Sequence, residues 1–136
     1  MVDTILIPTD GSAHAQRAAA HAITLAKRED AALHALFVVD THKMGEPALS
    51  SMEILIDEHE DWGRKVLAAI AEAAKKRGVT VETTCCHGEP TDEIRKYADE
   101  VDADLIVVGE RGETHKHREG TVTRALQRED DRVVVA

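Results

Sequence analysis

Short apolar runs alternate with longer stretches of helical period along the whole chain. Residues 3–8 (DTILIP) form the first run, rich in β-branched side chains and closed by Pro8, and its length predicts a strand buried in a parallel sheet. Thr9-Asp10-Gly11-Ser12 follows as a turn, Asp-Gly being a common turn pair, and Ser12 is the expected N-cap of the next helix. There Ala15, Ala18, Ala19, Ala22, Leu25 and Ala26 recur on one face, with Arg17, His21, Thr24 and Lys27 off it. A face this rich in alanine predicts close packing on a sheet.

Residues 31–39 (AALHALFVV) predict the second strand, ended by Asp40, and a loop containing Gly45 and Pro47 comes next. Ser50-x-x-Glu53 has the form of a capping box opening a long helix to about Arg77. Met52, Leu55, Trp62, Val66, Ile70 and Ala73 mark its expected buried row, with His59 in the same row, and Gly78 suits the position just past the end. Residues 79–86 (VTVETTCC) alternate weakly, as an edge strand with one solvated face does. Pro90, Asp92 and Glu93 suit the first turn of a helix whose buried positions would be Ile94, Tyr97, Ala98 and Val101. Residues 104–108 (DLIVV) predict a fourth strand, residues 121–129 a short helix, and residues 132–136 (RVVVA) a fifth strand.

This β-α-β-α-β-α-β-α-β order, without repeat or linker, predicts one domain over residues 1–136. Such alternation gives a parallel sheet with helices on both faces and right-handed crossovers. Its ligand crevice is expected beyond the carboxyl ends of the strands, where the strand order reverses. The first and fourth strands are the natural neighbours there, which sets Thr9-Asp10 beside Gly109 and Gly112. Gly120-Thr121 then heads the last helix. Glycines let backbone amides approach a phosphate, and a helix N-terminus adds the positive end of its dipole.

Composition narrows the reading. Of 136 residues 43% are hydrophobic, yet only Phe37, Trp62 and Tyr97 are aromatic, so the core must be built from Ala, Val, Ile and Leu. Acidic residues outnumber basic ones 26 to 17, for a formal charge of −9, and no basic patch offsets them, which argues against nucleic acid as a partner. Such a surface suits ordinary solvation or adaptation to high salt. No apolar run approaches the ~18 residues of a membrane span and no secretory leader opens the chain, so a cytoplasmic location is expected. Cys85 and Cys86 are adjacent and a strand would point them to opposite faces, so two inert thiols are expected rather than a disulfide. His115-x-His117 and His87 lie in different loops, short of the four converging ligands zinc needs, and no metal site is expected. Neither a GxxxxGK phosphate loop nor a GxSxG elbow is present, so catalysis is not expected.

Six stretches stand in a familiar order and spacing: ILIPTDGS from Ile5, the alanine-rich helix, LFVVD from Leu36, GEPTDEI from Gly88, ADLIVVGERG from Ala103 and GTVT from Gly120. In them the chain resembles the universal stress protein family over essentially its whole length. The resemblance implies a Rossmann-like three-layer sandwich of the adenine nucleotide alpha hydrolase-like class, with a five-stranded parallel sheet in the order 3-2-1-4-5. It also implies a homodimer through the fifth strand. The residues argue the same way, because a bare Val133-Val134-Val135 edge recruits other strands and two such edges can cover each other across a two-fold axis.

Family members divide into those that bind ATP and those that do not. For an ATP binder the resemblance implies that Asp10, next to Thr9, contacts the nucleoside and that Val39 meets the adenine. Gly109, Arg111, Gly112, Gly120, Thr121 and Val122 would form the phosphate and ribose cradle, and Mg²⁺ would accompany the triphosphate. The family pattern is G-x2-G-x9-G-[S/T], whereas here seven residues, ETHKHRE, separate Gly112 from Gly120 and replace a usual apolar stretch with polar residues. Seven residues still reach roughly 20 Å when extended, enough to return Gly120 to Gly112. Arg132 stands where a proline commonly precedes the last strand. The expected function is a dimeric adenine-nucleotide sensor in the stress response, not a catalyst. The alternatives are a nucleotide-free dimeric interaction module and a weak ATPase.

Overall fold

The computed structural model describes residues 2–41, 49–109 and 121–136, with side chains described from Ile54 onward in the second segment and from Val122 in the third. The elements are β1 (Thr4–Thr9), α1 (Ala13–Glu29), β2 (Ala32–Asp40), α2 (Leu49–Lys76), β3 (Val81–Gly88), α3 (Pro90–Glu100), β4 (Leu105–Val108), α4 (Thr121–Glu129) and β5 (Val133–Val135). They form one five-stranded sheet in the order β3-β2-β1-β4-β5, with every neighbouring pair parallel. The fold class expected from the sequence and the strand order that the resemblance implies are therefore the observed ones.

Alternation along the strands divides the core in two. Ile5, Ile7, Leu33, Ala35, Phe37, Val39 and Val107 pack under α1 and α2. Leu6, Leu36, Ile106 and Val108 pack under α3 and α4, which contribute Ile94, Ala98 and Leu126. Cys85 borders the first cluster and Cys86 the second, so the adjacent thiols do face opposite layers.

Helix α1 starts as its sequence dictates: the Ser12 hydroxyl accepts a hydrogen bond from the Ala15 amide at 3.2 Å. Its buried face is Ala15, Ala18, Ala19, Ala22, Ile23 and Ala26, with Ile23 in the place expected of Leu25. It ends at Asp30 in the left-handed conformation. Helix α2 begins at Leu49, so Ser50 lies inside the helix rather than capping it. Its buried row is shifted in part from the expected one: Ile70 is in the core and Val66 packs against it as expected, but Leu67 and Ala74 join them while Trp62 is 47% exposed. The shift has a local cause. A Cβ at Gly63 would lie 2.5 Å from Phe37 Cδ1, so the helix meets β2 through its glycine and rolls Trp62 off the sheet. Gly78, with φ +75°, closes α2, and the Val79 amide returns to the Ala74 carbonyl at 2.9 Å.

Carboxylates pin both edges of β4. Asp104 accepts from the Asp3 and Thr4 amides at 2.8 and 3.0 Å, tying the start of β1 to the chain entering β4. Arg132, just before β5, grips Asp130 through Nε at 2.8 Å and NH2 at 2.6 Å, and reaches Asp99 at 3.0 Å. Hydrogen bonding from Arg132 holds the Asp130 carboxyl below its ordinary range, and the Asp3 amide, followed by that of Thr4, does the same for Asp104. Both folded values are depressed. The stability they contribute is thus present above the ordinary carboxylate range near ~4 and is lost as the pH falls through the folded values. Thermal melts between pH 7 and 2 should show wild type losing stability below about pH 4. Asp130→Asn should start about 1–3 kcal/mol lower at neutral pH and show a flatter acid limb.

Candidate functional site

The carboxyl ends of β1 and β4 meet where the sheet order reverses. Their paired register ends with Leu6 opposite Ile106, and beyond it the two chain ends run on to Thr9 and Gly109. Thr9 is buried, and its hydroxyl accepts from the Gly11 amide at 3.2 Å. The Asp10 carboxylate accepts from the Ser12 amide at 2.9 Å, which orients it in the turn. Gly11 has φ +81°, a conformation that favours glycine.

Gly109 closes the other wall. A Cβ there would lie 2.8 Å from the carbonyl carbon and oxygen of His14 and 3.0 Å from the Ala15 amide nitrogen, so the end of β4 rests directly on the first turn of α1. From the far side the Thr123 hydroxyl donates to the Gly109 carbonyl at 2.7 Å, fixing α4 to the same point. Helices α1 and α4 both begin at this edge, so two positive dipole ends lie beside the crevice.

The expected site residues divide as follows. Thr9 and Asp10 lie in the turn that opens α1, and Gly109 rests on the first turn of the same helix. Val39 stands near the end of β2, 1% exposed and in the core under α1 and α2. Val122 is half-buried against the α3 and α4 core, and Thr121 opens α4. Arg111, Gly112 and Gly120 lie outside the described residues, as do His115 and His117. Among the described residues no group of three or more His, Cys, Asp or Glu could hold a metal ion. Sequence reasoning missed Thr123, which was signalled only by its place three residues beyond Gly120.

The thiols stand apart from this chemistry. Burial, with Glu93 adding to it, pushes Cys86 up to about 11, and burial with Glu60 raises Cys85. Both stay protonated at neutral pH, which removes the thiolate that reactivity needs.

The family model described as "Universal stress protein family" matches residues 1–129. The chain belongs to that family. A universal stress protein of Methanocaldococcus jannaschii is 39% identical over 115 residues, covering 84% of this chain and 68% of its relative. Universal stress protein UspA from Lactobacillus plantarum superimposes with a TM-score of 0.82 at 26% identity, over 98% of this chain and 97% of the other. A universal stress protein crystallised in complex with cAMP superimposes with a TM-score of 0.76 at 26% identity, over 99% and 97%. Among the described residues of this universal stress protein, no helix is long and apolar enough to cross a membrane.

Proposed function

We propose that this universal stress protein is a single domain over residues 1–136 that binds an adenine nucleotide at the β1–β4 crevice and acts in the stress response through its dimer rather than through chemistry. One observation carries the reading: the Asp10 turn, Gly109 and the starts of α1 and α4 converge on one edge of the sheet. An oriented carboxylate suits nucleoside hydroxyls, while main-chain amides and dipole ends suit phosphates. Asp10 and the Val39 main chain hold the nucleoside. Gly109, Arg111, Gly112, Gly120, Thr121 and Val122 cradle the ribose and phosphates, and Mg²⁺ enters with ATP. The neighbour that binds cAMP adds support by likeness.

Val133, Val134 and Val135 are half-buried on an outer edge of the sheet, which suits pairing with a second copy in a cytoplasmic homodimer. Calorimetry with ATP and AMP, run beside light scattering, tests the whole. Saturable binding near one nucleotide per chain is expected, on a particle of twice the 14.9 kDa chain mass. Asp10→Ala should weaken binding at least ~10-fold, in line with a lost charge-assisted hydrogen bond. A dimer with no nucleotide heat would instead favour the interaction module, and turnover lost with Asp10→Ala would favour a weak ATPase.

A further inference from the structure

The sole tryptophan of the chain sits beside the turn that carries Asp10. Trp62 is rolled off the sheet by Gly63 and is 47% exposed. Its indole lies against the turn that carries Asp10: Nε1 is 2.9 Å and Cζ2 3.0 Å from where a Cβ on Gly11 would be. Behind it a cavity of about 320 Å³ runs between α1 and α2, lined by Thr9, Gln16, Ala19, Ile23, Trp62 and Val66 among others. Thr9, whose hydroxyl accepts from the Gly11 amide in the turn that carries Asp10, also lines this cavity, so crevice and cavity share a wall.

We infer that Trp62 is the base-contacting residue, and that the planar base of the nucleotide lies in the mouth of this cavity against the indole while its phosphates remain at Gly109. The inference rests on the proposed nucleotide binding and extends it to how the base is held. Val39, on the same face of the sheet, has its side chain sealed in the core, so it offers no surface to a ring. Trp62 offers a flat one, and stacking on an aromatic face is the common way proteins hold a base. The floor is apolar, as ligand cavities are, and Gln16 brings an amide with both donor and acceptor to the wall.

Because the chain has one tryptophan, its emission reports on this position alone. ATP should quench or shift the emission of the wild-type protein, whereas inorganic tripolyphosphate, which has no base, should leave it unchanged. By calorimetry Trp62→Ala should weaken ATP at least ten-fold without changing tripolyphosphate affinity, and Trp62→Phe should recover most of the loss. Circular dichroism melts of both variants check that the fold survives. If Trp62→Ala does not fold, the wild-type emission and Trp62→Phe decide. ATP binding with silent emission and unchanged affinity in the folded Trp62 variants would overturn the inference and leave the proposed function standing. An equal loss of ATP and tripolyphosphate affinity would make Trp62 a prop for the turn and overturn it too. Absence of any ATP heat in the wild type would overturn the proposed function and this inference together.

Discussion

Gly109→Ala is expected to lower stability by about 2–4 kcal/mol and to weaken nucleotide binding at least ten-fold, because the added methyl meets backbone and not a side chain. The nearest atoms are the His14 carbonyl, at 2.8 Å, and the Ala15 amide nitrogen, at 3.0 Å. A side chain could rotate away, whereas these atoms belong to the first turn of α1, fixed by the Ser12 cap at one end and the alanine face along its length. Relief requires α1 and the end of β4 to move apart. That displaces the Gly109 carbonyl from Thr123 and opens the crevice from both sides. Thr123→Val is the matching control. It removes the 2.7 Å hydrogen bond without adding bulk to β4, so its cost should be nearer 1 kcal/mol plus that of an unsatisfied carbonyl. Chemical denaturation gives the two stability losses and calorimetry the two affinities. Equal, small effects for both variants would show that the contact between β4 and α1 is looser than its geometry.

Gly63→Ala sets two effects of opposite sign against each other. Glycine in a helix interior costs about 1 kcal/mol relative to alanine, so the substitution should stabilise α2 in isolation. In the fold its Cβ would lie 2.5 Å from Phe37 Cδ1 and 2.8 Å from Cγ, inside any real contact distance, and Phe37 is buried between sheet and helix. Overpacking typically costs 1–3 kcal/mol, and a clash with the root and edge of a confined ring falls at the upper end or beyond. A net loss of about 1–3 kcal/mol is therefore expected. Phe37→Leu costs some packing alone, but combined with Gly63→Ala it should recover a large part of that loss. The double-mutant cycle should accordingly show favourable coupling of about 1 kcal/mol or more. Additive losses would place the strain elsewhere in α2.

Both cases show where the sequence was legible. Strands buried on two faces reveal themselves by short β-branched runs and alternation gives the parallel sheet, whereas the order β3-β2-β1-β4-β5 is implied by the resemblance. The alanine row of α1 is unambiguous because so small a face has few other uses. Helix α2 misleads for a physical reason. Trp62 is the most conspicuous apolar residue in its row and draws the expected seam toward itself, while its neighbour Gly63 has no side chain to signal the true contact. Hydrophobic period reports which side chains can be buried, and it is blind to a contact made through the absence of one. Similarly, Asp10 and Gly109 were legible as turn and phosphate-approach residues, but Thr123 reads as an ordinary helical threonine until the Gly109 carbonyl is seen beside it. Arg132, noted only for replacing a proline, proves to be the fork that anchors the last strand.

The hydrogen bond from Thr123 to Gly109 has a further consequence for the length of chain between them. It joins the two banks of the segment from 110 to 120 through atoms that lie outside that segment. The start of α4 is thereby located by Gly109, α1 and Thr123 whatever the length of chain between them. Changing the length of such a connection alters closure entropy only slowly, by roughly 0.6 kcal/mol per doubling. Loss of two residues relative to the family pattern is therefore a change that this junction accommodates at small entropic cost.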